Sequence, residues 1–367
     1  MKTLRRLIYG EVLIAVAFVT LSFLALFFFF DFVDELQNVG KNGGAYQVSH
    51  AFSYVLLLIP SHLYELLPIS VLIGCIFVMA RLAQSSEFTI LRTGGLEPLK
   101  ALGTLLQLGV FFVFVTFLMG DYAAPWADRQ GVLIKAQFQG NLTVGQTGAW
   151  LKERQESRHF AVNVRSFDGT SHMQNVRIHE FNEAGQLLAI TTAPKAQIGK
   201  DAWQLQQAEQ KSIVPIDGQK TLQFRSVTYA TLVWPTEISG DMVAAAVLSP
   251  DHMRTWELFK YVRHLSSNNQ NAQRYEIEFW RKVFYPLSCL VMLVMALPFA
   301  YLHFRSGQIA GHVFAGVLAG ISFSLLNNVF SFAGILQNWQ PWLTAAAPAL
   351  IYSAISLLGF WWMVLRQ

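Results

Sequence analysis

The chain has 367 residues, of which 53% are hydrophobic and only 14% charged, well under the roughly 25% charged residues of ordinary soluble domains. Its formal net charge of +4 comes from Lys and Arg spread along the chain; without a basic stripe interleaved with aromatics, nucleic-acid binding is excluded. The two cysteines, Cys75 and Cys289, both lie in apolar stretches, which excludes a disulfide framework and a cysteine-based zinc site and makes them small buried apolar residues.

Apolar segments occupy 7–30, 61–82 and 99–120, and again 283–302, 309–332 and 343–364. Each matches the ~20 residues a helix needs to cross a bilayer. The first is too long for a cleaved signal peptide and is followed by no small-residue cleavage pattern. It ends in Phe27 to Phe30, turns acidic at Asp31, Asp34 and Glu35, and runs into a loop with Gly40, Gly43 and Gly44. Pro60 divides the next stretch; a proline removes a helix hydrogen bond, so 51–59 is expected to be an interfacial or re-entrant piece and 61–82 the second span. Glu65 then lies within two turns of the outer surface, where an ionisable group should face a cavity or partner; His62 reads as interfacial. In the following loop Ser85 or Ser86 can cap a short helix and Gly94 can end it. Phe88, Ile90 and Leu91 give that helix an apolar side, and it is expected to lie parallel to the membrane, placed to receive a push from a soluble partner.

Residues 123–270 have the period-two pattern of an antiparallel β domain. Phe160, Val162 and Val164 alternate with Ala161, Asn163 and Arg165; Leu222 and Phe224 alternate with Gln223 and Arg225; Trp203 and Leu205 repeat the pattern. Turn signals at Asp168-Gly169, Asn182 to Gly185, Gly199 to Asp201 and Asp217-Gly218 separate the runs. A sandwich or jelly roll is expected, and strand spacing does not choose between them. Ser249-Pro250-Asp251 reads as a helix start. The stripe Met253, Trp256, Phe259, Val262, with Lys260, Arg263 and His264 off it, predicts an amphipathic connector on the outer membrane surface. In the fifth span, Gly316 and Gly320 form a small-xxx-small pair that lets helices approach closely. Six spans are few for a stand-alone transporter, so pairing with a similar subunit through this helix is expected.

Orientation follows the positive-inside rule. Lys2, Arg5 and Arg6 precede the first span; Arg81, Arg92 and Lys100 lie between the second and third; His303 and Arg305 lie between the fourth and fifth; Arg366 follows the last. Both termini are expected in the cytoplasm and the β domain outside. Arg274, Arg281 and Lys282 crowd the outer end of span four, either snorkelling to headgroups or contacting an anion.

Several chemistries are missing. There is no Gly-x-x-x-x-Gly-Lys-[Ser/Thr] phosphate loop, so the chain is not expected to hydrolyse ATP; nor is there a Gly-x-Ser-x-Gly elbow or a His-Glu-x-x-His helix. His159, His172 and His179 lack metal-ligand spacing. Asn141-Leu142-Thr143 matches a glycosylation acceptor, a tripeptide that chance supplies easily. Glu11 and Glu65 lie near opposite faces with no ionisable chain between them, which argues against a proton pump.

The three-plus-three spans with an inserted β domain, together with Leu82-Ala83-Gln84-Ser85-Ser86-Glu87 and Leu91 to Gly95, resemble the lipopolysaccharide-export permeases, the paired LptF and LptG subunits of an ABC-type extractor. Further matching pieces are Phe32 to Leu36, Gln146 to Trp150, Tyr275, Trp280 to Phe284 and Pro286-Leu287. Phe32 to Leu36 and the tryptophan motif lean toward the G-type subunit. The resemblance implies an α-helical polytopic membrane protein with six transmembrane helices and an inserted periplasmic all-β jelly-roll-like domain. Its parts would be 1–122 with spans one to three and a coupling helix near 84–95, 123–248 as the β domain, 249–270 as the connector, and 271–367 with spans four to six. It implies an LptF-like permease facing this one, with spans one and five at the seams, an LptB-like ATPase dimer and an LptC-like β domain as partners. The chain itself would hold no cofactor; ATP and Mg would be bound by the partner ATPase. Glu87 matches the family's acidic coupling residue, with Phe88 and Arg92 beside it. Lipid phosphates would need cations: Lys41, Arg129, Lys135, Arg281 and Lys282 are the candidates. The family's basic residues at the outer end of span one are replaced here by Asp31, Gln37 and Asn38. The rival reading is a membrane signalling or mechanotransmission protein with a periplasmic sensor domain. A membrane enzyme would need a catalytic cluster that the sequence does not offer.

Overall fold

The computed structural model describes residues 2–40, 46–85, 98–139, 149–155, 158–167, 171–199, 201–215, 222–240, 242–243, 250–268, 270–301 and 309–362. The chain divides into two compact units: a helical unit of Met1–Gln37, Val55–Ala127 and Gln273–Gln367, and a sheet unit of Asn38–Tyr54 and Asp128–Ala272.

The helical unit is built on α1 (Lys2–Leu36), α2 (Val48–Gln84) and α3 (Pro98–Leu118), which passes through a π-helical turn at Met119–Ala123 into α4 (Ala124–Gln139). Among the described residues, six helical stretches are long and apolar enough to cross a membrane. α2 corrects the expectation at Pro60. Residues 51–59 are not a separate interfacial piece but the first turns of one 37-residue helix that contains both Pro60 and Pro68. In an apolar bundle a proline deletes one donor without ending the helix, because neighbouring helices and local adjustments satisfy the freed carbonyl.

Burial in this unit is inverted with respect to a soluble bundle. Its core runs through Val12 and Val16 of α1, Leu72, Cys75, Ile76 and Met79 of α2, Leu105 and Phe112 of α3, and Cys289, Met292 and Leu293 further on. Large apolar side chains are nonetheless displayed outward, among them Ile14, Phe18 and Leu21 on α1. Such surfaces are compatible with lipid rather than water.

In the sheet unit the strands are β1 (Ala149–Gln155), β2 (Arg158–Phe167), β3 (His172–Asn182), β4 (Leu187–Ile198), β5 (Ala202–Pro215) and β6 (Leu222–Pro235). They form one antiparallel sheet in sequential order. The described strands are therefore an up-and-down meander, not the two facing sheets of a sandwich. The sheet encloses its own core by curling. Gln155 at the end of β1 donates to the Pro235 carbonyl at the end of β6 (2.9 Å), and Phe160 of β2 packs edge-on against Trp234 of β6 (5.7 Å). Trp203 is fully buried and its indole N–H donates to the Ile238 carbonyl at 2.9 Å. Glu153 is buried but satisfied, accepting from the Thr236 hydroxyl (2.5 Å) and the Glu237 amide (2.7 Å). The turn marked by Asn182 to Gly185 is present, with Gly185 at φ +76.

A transverse crease produces part of this curl. Along β2 to β5 the buried side chains step by three instead of two at one level: Val164 to Phe167, Met173 to Val176, Ala193 to Ala196, Leu205 to Ala208. Asn175 and Gln207 sit at φ +52 and +50, and the pairing between strands skips Asn175, Pro194 and Gln207. Each left-handed residue costs roughly 1–2 kcal/mol; the register is the same on both sides of the skipped level, so the crease breaks the pleat without inserting a residue.

After the sheet, a 3-10 turn at Pro250–His252 precedes α5 (Thr255–Ser267). The stripe expected here is displaced. α5 buries Leu258, Tyr261 and Leu265, whereas Trp256 and Phe259 are exposed and stack on each other at 5.7 Å. The sequence offers two apolar faces on this helix, and the one with the smaller rings is the one packed inward. The remaining helices are α6 (Gln273–Phe284) and α7 (Ser288–Ala296), joined by a 3-10 turn at Tyr285–Leu287, then α8 (Ile309–Gln337) and α9 (Pro341–Phe360).

Candidate functional site

Polar groups inside the helical unit gather at two levels. The first surrounds the π turn. A π turn widens the helix and displaces a carbonyl from its ladder; the Gly120 carbonyl accepts from the Lys282 ammonium at 3.2 Å. Lys282 is only 5% exposed and Glu278, one turn earlier, 9%. Arg281 Nε lies 3.2 Å from Glu278. The Tyr64 ring lies over Gly120, where even a Cβ would fall 2.3 Å from it. The Tyr285 ring packs at a tilt against Tyr64, 4.9 Å between centroids, and its hydroxyl donates to the Glu65 carbonyl at 2.6 Å. Spans two, three and four are thus joined by one polar layer. A charge at membrane depth persists when it is paired or faces a cavity, and here the partners are supplied by the bundle itself. At the same end, His62 pairs with Asp31 (2.6 Å) and stacks on Phe27 (5.0 Å). His62 is therefore more than an interfacial residue: its bond to Asp31 ties α2 to the end of α1.

The second level lies at the other end of α2. Arg81 forms an ion pair with Glu11 of α1, tying the last turns of α2 to the first span. The sequence shows both residues but gives no reason to join them, since 70 positions separate them.

The candidate cations fall into separate surroundings. Glu87, Phe88, Arg92 and Lys41 lie outside the described residues. Arg281 and Lys282 belong to the polar layer above, and Lys282 is turned inward to a carbonyl rather than outward. In the sheet unit, Arg129 on α4 donates to Glu257 of α5 at 2.5 Å, and Lys135 places its ammonium 3.9 Å from the Tyr54 ring centroid, a cation–π contact. Beside Arg129, Asp128 pairs with His252 at 2.7 Å. Among the described residues, no group of His, Cys, Asp or Glu could hold a metal ion.

Gly316 and Gly320 do bring helices together, but within the chain. A Cβ at Gly316 would fall 2.8 Å from Ile76, and one at Gly320 would fall 2.6 Å from Ile69; both contacts are with α2. The exposed face of α8 is different: Phe314, Leu318, Ile321, Leu325, Val329, Phe332 and Leu336 form one stripe at helical spacing.

These features define a multi-pass membrane protein carrying an antiparallel sheet unit between its third and fourth spans, with buried ionic ties and no catalytic constellation among the described residues. The family model for the lipopolysaccharide export system permease LptF/LptG matches residues 6–364, and the chain belongs to that family. It is 27% identical over 343 residues to the lipopolysaccharide export system permease protein LptG of Escherichia coli K12, covering 92% of this chain and 90% of that protein. It is 25% identical over 369 residues to the protein of the same name from Haemophilus influenzae, covering 100% of this chain and 99% of that one. Both relatives carry the G-type name.

Proposed function

We propose that the chain is a transmembrane permease subunit of an ATP-driven exporter. It extracts lipopolysaccharide from the outer leaflet of the inner membrane and passes it to a periplasmic bridge. The observation that carries this reading is the end-to-end family match on a chain without a nucleotide-binding loop. ATP and Mg are bound by a separate LptB-like ATPase dimer, and an LptF-like permease and an LptC-like β domain complete the assembly. Both termini face the cytoplasm and the sheet unit is periplasmic. Energetics support division of labour, because moving a lipid out of a bilayer costs ~0.8 kcal/mol per exposed methylene, which calls for an apolar chamber and an external power source.

The open apolar stripes of α1 and α8 are the faces we assign to the partner permease and the lipid. Gly316 and Gly320 contribute to that seam by seating α8 on α2, which turns the Phe314 to Leu336 stripe outward. The Glu11–Arg81 pair gives the cytoplasmic stroke a route, since a push on the segment that follows α2 reaches α1 through it. Arg129, Lys135 and Arg281 remain the candidates for contact with a lipid phosphate; Lys282, turned inward to the Gly120 carbonyl, serves the polar layer instead. Reconstitution with the ATPase and partner permease in lipopolysaccharide-loaded vesicles tests the reading. Glu87→Ala is expected to lower ATP-dependent lipid release about tenfold, a coupling loss of ~1.4 kcal/mol, with insertion intact. Normal export by that variant removes Glu87 from the coupling role.

A further inference from the structure

The face of the sheet turned away from its apolar core is not smooth. Where the crease crosses it, a groove of about 710 Å³ opens, lined by Trp150, Asn163, Arg165, Asn175, Arg177 and Gln207. The pairing explains how they meet. Trp150 lies opposite Asn163, Asn163 opposite Arg177, and Arg177 opposite Thr192, so these four form one row across four strands, in which Asn163 is buried and donates its amide to the Ala149 carbonyl at 3.3 Å. Arg165, Asn175 and Gln207 come from the skipped level beside it.

The chemistry of this lining is specific. Arg165 and Arg177 are exposed, and no carboxylate among the described residues pairs with either. The one carboxylate in the groove, Glu209, is already engaged by Lys211 (3.1 Å) and the Ser226 hydroxyl (2.9 Å), and the Lys211 bond holds its pKa below the usual range. Trp150 is 53% exposed although it starts a strand, and its ring is braced by His179 at 5.7 Å. His179 is itself held near the Ala161 carbonyl at 3.3 Å.

We propose that this groove binds a phosphorylated sugar. An open indole face accepts the C–H-rich side of a pyranose ring while its edge stays wet. The exposed amides of Asn175 and Gln207 present donor and acceptor together and so match hydroxyls, which are both. Two guanidinium groups without carboxylates suit a phosphate, which they bind through forked N–H pairs. The volume lies within the range of small-ligand sites. A lipid tail is the wrong occupant for so polar a lining. The source of the sugar rests on the export reading: a lipopolysaccharide carries a saccharide that cannot enter an apolar core and must travel along a polar surface.

The test uses the full-length chain in nanodiscs, titrated by calorimetry with a singly phosphorylated glucosamine disaccharide, the same disaccharide without phosphate, and inorganic phosphate. The phosphorylated disaccharide is expected to bind, and each of the other two to bind at least about tenfold more weakly. Arg165→Gln with Arg177→Gln, or Trp150→Ala alone, is expected to weaken it by about tenfold, the usual effect of removing an Arg or Trp anchor. All substituted side chains are exposed, and an unchanged melting profile verifies folding. Equal binding of inorganic phosphate overturns sugar recognition. Unchanged affinity in both variants overturns the location. Loss of the groove to a purified partner β domain that protects Trp150, with no sugar bound, reassigns the face to protein docking. Vesicle release by the assembled exporter is measured separately, so a failure of export is not confused with a failure of sugar binding.

Discussion

The two units solve opposite burial problems. In the helical unit an apolar core coexists with charges turned inward and large apolar side chains turned outward: Lys282 and Glu278 are buried while Phe18 and Phe332 are about 70% exposed. In the sheet unit Trp203 and Leu205 are wholly inside and the arginines of β2 and β3 are outside. The same chain therefore reads two solvents. Polar groups in the helical unit hold helices together because nothing outside can solvate them. On the sheet, polar side chains such as Arg165 and Arg177 face water instead. A substitution that respects one rule should break the other unit.

Trp203→Ala gives the largest effect expected. It removes a fully buried indole and its bond to the Ile238 carbonyl, at a cost of about 3–5 kcal/mol. Limited proteolysis of the nanodisc-embedded protein should cleave the sheet unit while the spans stay protected; equal resistance to wild type would show that the core does not depend on this ring. Lys282→Ala is next. It removes a buried ammonium and its bond to the Gly120 carbonyl from the layer that also holds the Glu278–Arg281 pair. Breaking one side of such a buried network costs about 3 kcal/mol, so the detergent-solubilised protein should melt several degrees lower. The sheet unit, monitored by protease resistance, should be unaffected. Gly320→Leu tests the intrachain use of the glycine pair. Overpacking against Ile69 should cost about 1–3 kcal/mol, visible as a lower melting temperature of the isolated chain. If only assembly with the partner permease suffers and the isolated chain melts normally, the glycines serve the seam directly.

The sequence carried the architecture well because its two periods, near 3.6 in the spans and 2 in the strands, answer to the two solvents just contrasted. It misled where an outcome depended on neighbours. Pro60 looks like a break, yet α2 runs through it because adjoining helices stabilise the turn. The Gly316–Gly320 pair marks a close approach but cannot say to which helix. The Glu11–Arg81 and Asp31–His62 pairs join residues 70 and 31 positions apart, and single-sequence periodicity has no means of linking them. The crease leaves a trace, since the alternation of β2 to β5 slips by one at the same level, but the slip reads as noise until the strands are aligned. On α5, two candidate stripes compete, and only packing within the unit selects Leu258, Tyr261 and Leu265.

That packing sets up the smallest effect expected, an acid sensitivity confined to the sheet unit. His264 on α5 is partly buried, and its Nε2 has no hydrogen-bond partner among the described residues. Burial pushes its pKa below the ordinary value near 6.5, against the pull of Glu153 and Glu237. A histidine with a depressed folded pKa is neutral in both states at pH 7.5 and then contributes nothing. As pH falls below about 6.5 the unfolded chain takes up a proton that the folded one resists, so stability drops from there down to the lower folded pKa. The partial exposure limits the loss, and the melting temperature of the sheet unit should fall by only a few degrees between pH 7.5 and 5.5. His264→Gln should make that fall smaller while leaving the pH 7.5 value nearly unchanged. An identical pH dependence in the two proteins would mean that α5 admits the charged imidazole without leaving its seat on the sheet.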